Sequence, residues 1–275
     1  MERKVAIVTG GSRGIGLETA KELSKSCIVY EFSRRGESHD GITHISADVS
    51  DEKCVSAAID AVIKKEGRID ILVCSAGFGI SGAVEFTDEA DARHQIDVNF
   101  FGTVNAVHAV LPHMRKAGSG RIVCVSSVAG AIPIPFQTYY SVSKAAINSF
   151  VRALCGEVKP YGISLCAVMP GDTATGFTAA REKIHRGDEE YGGRISRSVS
   201  GMEKDELSGG SASVAGKFIA KKALAKKVPA VFPASCAGSW ATPCSFATLR
   251  SFSSSLTIPS PTVRTFWRSS GIRRR

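Results

Sequence analysis

Six short apolar runs, rich in Val and Ile, recur through the first two thirds of the chain: KVAIVT (4–9), CIVYEF (27–32), ITHISA (42–47), IDILVC (69–74), RIVCVS (121–126) and ISLCAV (163–168). They are apolar throughout rather than alternating, as strands covered on both faces are. The stretches between them carry a helical period, as in GLETAKELSK, KCVSAAIDAVIKKEG and the long QIDVNFFGTVNAVHAVLPHM. In SKAAINSFVRALCGEV, Ala146, Phe150, Ala153 and Leu154 share one helix face. Strand and helix in alternation predict an α/β fold. Its centre is a doubly wound parallel sheet with helices on both faces and right-handed crossovers. In such sheets ligands sit at the carboxyl ends of the strands.

Two segments break the rhythm. Residues 172–213 are polar and Gly-rich, and follow the sixth strand, where a lid over a ligand belongs. From 229 to 275 there are ten serines, six arginines and no acidic residue, and no period persists. The expected organisation is therefore one domain over 1–228, with 172–213 as a substrate lid. An atypical Ser/Arg-rich segment, frameshifted or disordered, follows over 229–275.

The chain has 275 residues, 43% of them hydrophobic and 22% charged, which suits one soluble domain with a sizeable core. No apolar run is long enough to span a membrane, and the first strand leaves no room for a leader. None of the eight cysteines sits in a CxxC pair, so buried reduced thiols, a cytoplasmic location and no metal site are expected. The net charge of +9 is concentrated at the end: the last 47 residues supply +6, leaving 29 basic against 26 acidic residues, or +3. That balance argues against a nucleic-acid surface.

The first strand runs straight into TGGSRGIG, with Gly10, Gly14 and Gly16 before a helix. One glycine makes the turn, one lets backbone approach a pyrophosphate, and one lets the helix pack on the strand. The helix N-terminus then faces the phosphates. At the end of the second strand, an acid would take a ribose 2′-hydroxyl and an arginine a 2′-phosphate. The sequence there is Ser33-Arg34-Arg35, with Arg13 in the turn and Glu31 two residues too early. Converging guanidiniums fit a phosphate monoester, so NADP(H) is the expected cofactor.

The stretch TYYSVSKAA holds two tyrosines, Tyr139 and Tyr140, and Lys144 four residues after the second. Together with TGGSRGIG, Asp48-Val49, CSAG (74–77), Asn99, Ser127 and PGDTAT (170–175), it resembles the short-chain dehydrogenase/reductase family in order and spacing over residues 3–228. The resemblance implies a single Rossmann-like domain. It also places the catalytic serine thirteen residues before the tyrosine, at Ser127 for Tyr140. Ser126 is then a neighbour of the site and Tyr139 a wall residue. The implied catalytic set is Asn99, Ser127, Tyr140 and Lys144, with Asn99 fixing a water in a proton relay and Lys144 also holding the cofactor ribose. The implied cofactor site begins with Thr9, Gly10, Ser12, Arg13, Gly14, Ile15 and Gly16 in the turn. It continues through Ser33, Arg34 and Arg35, then Asp48 and Val49 at the adenine and Ser75, Ala76 and Gly77 beside the turn. Asn99, Tyr140 and Lys144 belong to it as well, and Pro170, Gly171, Thr173 and Thr175 complete it, Thr175 at the carboxamide.

Elementary chemistry agrees with these roles. Tyr140 and Lys144 share a helix face, and a nearby ammonium favours the phenolate, lowering the tyrosine pKa towards working pH. The phenol can then exchange a proton with a carbonyl oxygen, and Ser127 can hydrogen-bond the same atom. One departure is the Cys74-Ser75 that stands where the family has Asn-Asn; the lost hydrogen bonds are expected to cost stability.

The expected activity is an NADP(H)-dependent oxidoreductase acting on a carbonyl or secondary alcohol. The apolar AIPIPF (131–136) and Phe177 point to a steroid-, retinoid- or lipid-like substrate, or else AIPIPF packs against the lid. An alternative is a 3-oxoacyl thioester reductase, with Arg181, Lys183 and Arg186 as a basic docking patch. A non-catalytic NADPH-binding sensor is the reading from another class. The partners expected are a small-molecule substrate and, because family members pack through their last strand and helix, further copies of the chain.

Overall fold

In the computed structural model the described residues are 3–226, 228 and 230–234. The strands are β1 (Lys4–Thr9), β2 (Cys27–Ser33), β3 (Ile42–Ser46), β4 (Ile71–Cys74), β5 (Ile80–Ser81), β6 (Gly120–Val125), β7 (Ile163–Pro170), β8 (Thr173–Ala174), β9 (Glu182–Lys183), β10 (Gly210–Ser211) and β11 (Val231–Ala234). The helices are α1 (Gly14–Ser24), α2 (Glu52–Glu66), α3 (Glu89–Ile96), α4 (Gly102–Ala117), α5 (Thr138–Val158), α6 (Phe177–Ala180), α7 (Arg194–Leu207) and α8 (Ala212–Leu224). All six apolar runs form strands, within two residues of the expected ends.

Seven strands make one parallel sheet in the order β11-β7-β6-β4-β1-β2-β3. Successive side chains alternate between its faces. Val5 and Ile7 of β1 pack with Val55 and Ile59 of α2, Val107 and Val110 of α4, and Ile147 and Val151 of α5. Ala6 and Val8 pack on the other face with Ala20 and Leu23 of α1 and Ile219 and Ala223 of α8. The chain runs outward from β1 to the edge at β3, then returns to β4 on the other side of β1. The carboxyl ends of β1 and β4 therefore border the crevice where the winding reverses, the usual ligand position in such sheets.

Three elements differ from the sequence reading. The long helix expected over 95–114 is broken: α3 ends at Ile96, a π-helical turn covers Asp97–Phe101, and α4 resumes at Gly102. Such turns reposition side chains near functional sites, and this one carries Asn99. The sheet also extends past the expected boundary at 228. β11 pairs in parallel with β7, Val231 opposite Ala167. Pro233 demotes its run in a pattern reading, yet β11 is an edge strand, where a residue without an N–H is tolerated. The rest of the segment, 235–275, lies outside the described residues.

Finally, the excursion 172–213 is built structure. β8 pairs with β10 and β9 with β5. Ile195 and Val199 of α7 and Ala83 form a small core with Phe86, Phe136, Tyr191 and Met202. Among the described residues no helix is long and apolar enough to cross a membrane.

Candidate active site

A cleft of about 660 Å³ opens at the carboxyl ends of the strands. Its floor is the glycine turn. Gly10 has φ of +68°, and a Cβ there would lie 2.7 Å from the Cα of Ala76. A Cβ on Gly16 would lie 2.2 Å from the Gly10 carbonyl oxygen. Only bare backbone lets the turn approach the loop after β4 while α1 packs against it. The amino end of α1, with no acid in its first turn, borders the cleft through Gly14, Ile15 and Gly16. An open amide end beside a cradle that any side chain would fill fits a dinucleotide pyrophosphate.

One end of the cleft is basic. Ser33, Arg34, Arg35, Ser12 and Arg13 line it with Asp48 and Val49. Arg34 and Arg35 are exposed, and no ion pair engages them among the described residues. Burial pushes the Asp48 carboxyl up. Hydrogen bonds donated by the Ser50 hydroxyl at 2.6 Å and amide at 2.9 Å, with the Arg34 charge, outweigh it and hold the pKa low. A carboxylate therefore lines the basic end of the cleft.

The other end holds the reactive groups. The first turns of α5 bring Tyr140 and Lys144 beside Ser127, which caps the short turn after β6. Lys144 is buried; its ammonium donates to the Val125 carbonyl at 2.9 Å and lies 5.7 Å from the centre of the Tyr140 ring. Burial lowers its pKa from 10.5 to about 8. The expected depression of the Tyr140 pKa is not what the site gives. Burial raises it, opposed by Ser127 and the charge of Arg181 and reinforced by Glu206 and Asp172. Half-buried among these groups, the phenol keeps its proton at neutral pH. Asp172 is itself raised, by burial and then by Asp205 and Glu206.

Most of the expected site residues meet in this cleft. Ser75, Ala76, Gly77, Pro170, Gly171, Thr173 and Thr175 line it with those already named. Two do not. Thr9 is buried, and its hydroxyl accepts from the amides of Ser75 at 3.2 Å and Ala76 at 3.3 Å. It ties the loop after β4 where family asparagines are missing. Asn99 is also buried. Its amide clamps the backbone of Phe78, accepting from the N–H and donating to the carbonyl at 2.9 Å each, and donates to Ser143 Oγ at 3.1 Å.

Tyr139 is not a wall residue, since one step along a helix turns a side chain to another face. Ser126 lines the cleft but donates to the Lys144 carbonyl at 2.9 Å. AIPIPF serves both expected purposes: Ile134 lines the cleft while Phe136 packs on Tyr191 of the lid. The basic docking patch does not form, because each cation is paired. Arg181 binds Glu206 out of solvent, Lys183 binds Glu203, and Arg186 lies 2.8 Å from Asp88.

Phe78, Gln137, Asp172, Met202 and Glu206 line the substrate end and were not foreseen. Phe78 and Gln137 adjoin CSAG and TYYSVSKAA, and Asp172 lies inside PGDTAT. Met202 and Glu206 lie on α7, where no local signal marks them.

A family model for short chain dehydrogenase matches residues 4–185. The 3-ketodihydrosphingosine reductase of Bacteroides thetaiotaomicron is 39% identical over 233 residues, 83% of this chain and 87% of that protein. Human 17-beta-hydroxysteroid dehydrogenase type 1 is 35% identical over 195 residues, 64% of this chain and 59% of that protein. Among solved structures, a short-chain dehydrogenase from Streptomyces avermitilis superposes with a TM-score of 0.75 at 29% identity, covering 85% of this chain and 88% of that one. ElxO with NADP bound gives 0.70 at 28% identity, covering 84% and 97%.

Proposed function

The chain belongs to the short-chain dehydrogenase family, and on that premise we propose that it is an NADP(H)-dependent reductase of a hydrophobic ketone. The observation that carries the proposal is one cleft holding three things: the glycine turn, the unpaired arginines Arg34 and Arg35, and the Ser127–Tyr140–Lys144 set. A bound nicotinamide supplies the hydride. Tyr140, protonated at neutral pH because burial raises its pKa, hands its proton to the carbonyl oxygen. Ser127 donates a hydrogen bond to that oxygen as its charge develops. Lys144 would hold the cofactor ribose. The proton-bearing form of Tyr140 is the one that reduction uses.

The substrate end supports a bulky apolar molecule. Phe78, Val128, Ile134, Phe177 and Met202 supply its apolar lining. The two relatives above are named for a long-chain ketone and a hydroxysteroid, both hydrophobic. The paired state of Arg181, Lys183 and Arg186 removes the support for a carrier-bound thioester.

The test is NADPH and NADH consumption followed by absorbance, with 3-ketodihydrosphingosine, a 17-ketosteroid and a 3-oxoacyl thioester as substrates. Tyr140-dependent turnover of one of the first two with NADPH is the expected result. Binding of NADPH without turnover on any of them would favour a nucleotide sensor.

A further inference from the structure

Behind the basic end of the cleft lies a buried acid outside the reaction described above. Glu31 of β2 is fully buried, directly opposite His44 of β3 in the strand register. The His44 Nδ1 and Glu31 Oε1 share a hydrogen bond. The Ser33 hydroxyl lies 3.1 Å from the same oxygen and 3.0 Å from the Arg35 carbonyl. The His44 amide donates to Ser38 Oγ at 2.9 Å. A Cβ on Gly36 would lie 2.5 Å from Glu31 Oε1 and 2.8 Å from His44 Nδ1, so loop 33–38 folds tightly over the pair. On the other side, a Cβ on Gly11 of the cofactor turn would lie 3.3 Å from Glu31 Oε2. That second oxygen is buried and has no hydrogen-bond partner.

An acid on this strand is the feature that, placed two residues later, repels a 2′-phosphate. Here the carboxyl group sits one hydrogen bond behind cleft-lining Ser33, between the turn and the arginine loop. Among the described residues the one basic side chain within 4 Å of its oxygens is the His44 imidazole.

We propose that His44 and Glu31 form a charge-masking pair that sets the cofactor preference of the site, an inference that rests on the NADP(H) reading above. His44 draws the carboxylate towards β3 and anchors loop 33–38 over it. Arg34 and Arg35 then meet the 2′-phosphate without an opposing charge beneath them. Both members are positioning residues: neither lines the cleft.

The experiment is nucleotide binding by fluorescence titration, NADPH against NADH, with thermal unfolding of each variant as a folding check. In His44→Phe the carboxylate is unmasked, and NADPH affinity falls roughly ten-fold, the size of one uncompensated charge near a partly screened phosphate, while NADH affinity stays within two-fold. Glu31→Gln keeps the shape and removes the charge, so it binds NADPH at least as tightly as the wild type. The double variant Glu31→Gln/His44→Phe recovers the lost NADPH affinity. Equal losses for both nucleotides in His44→Phe, or no recovery in the double variant, overturn the pair's role and leave the NADP(H) reading intact. Unchanged NADPH affinity in a folded His44→Phe does the same. Tighter binding of NADH than NADPH by the wild type overturns the reading and the pair's role together.

Discussion

Lys144 donates to the Val125 carbonyl at 2.9 Å while its ammonium lies 5.7 Å from the centre of the Tyr140 ring. Burial then governs both groups, lowering the lysine and raising the tyrosine.

The lysine should therefore leave a mark on stability. Its folded pKa, about 8, lies below its unfolded value of 10.5. Below pH 8 both states carry the proton, and the folded state bears the cost of the buried charge, on the order of a few kcal/mol. Between pH 8 and 10.5 the unfolded chain binds more protons, so stability rises with pH. Urea unfolding of wild type and Lys144→Met at pH 7 to 10 should show Lys144→Met ahead at pH 7 and its lead shrinking above pH 8. A lead that does not change would place the Lys144 pKa elsewhere.

Tyr140→Phe removes the transferable proton and little else. Ketone reduction should fall about 10²–10⁴-fold, the usual worth of a positioned acid. The phenol is not needed to hold the nucleotide, so NADPH affinity by fluorescence should change less than two-fold. Equal loss of binding and turnover would mean that the ring supports the cleft rather than the chemistry.

How much of this was legible in the chain follows from which residues act locally. β1, the glycine turn and α1 are contiguous, so TGGSRGIG announced its own geometry. Tyr140 and Lys144 are four residues apart on one helix, so their shared face could be read directly. The raised Tyr140 pKa could not, because it depends on burial and on Arg181, Glu206 and Asp172, which come from the lid. The same holds for Glu31: its sequence position suggested a misplaced acid, while its partner His44 is thirteen residues away on the next strand. β11 stayed hidden because an edge strand with a proline lacks the continuous apolar run of its neighbours.

Gly16→Ala tests the cofactor cradle. The new methyl would lie 2.2 Å from the Gly10 carbonyl oxygen and 2.9 Å from its carbon, atoms of rigid backbone. Something must shift, at a cost of about 1–3 kcal/mol. The shift falls on the turn that faces the pyrophosphate, so NADPH and NADH affinities should fall together, unlike the selective loss expected of His44→Phe. Differential scanning calorimetry and nucleotide titration read the two effects separately.

The lid is held by a buried charge pair that should be costly to break. Arg181 has a wholly buried side chain, ion-paired to Glu206, whose other oxygen accepts from Thr178 Oγ at 2.6 Å. The Arg181 guanidinium also lies 5.4 Å from the Phe177 ring centre, and that ring is 5.7 Å from Tyr140. Glu206→Gln leaves the guanidinium buried without a counter-charge, a loss of about 3–5 kcal/mol by the usual cost of a broken buried pair. Arg181→Met/Glu206→Gln removes the stranded charge and should recover much of that stability in urea unfolding. Turnover separates structure from chemistry. If the pair only holds the lid, the double variant regains activity with stability. If the Arg181 charge also tunes Tyr140, the double variant stays slow, and the pKa governing its reduction rate moves upward.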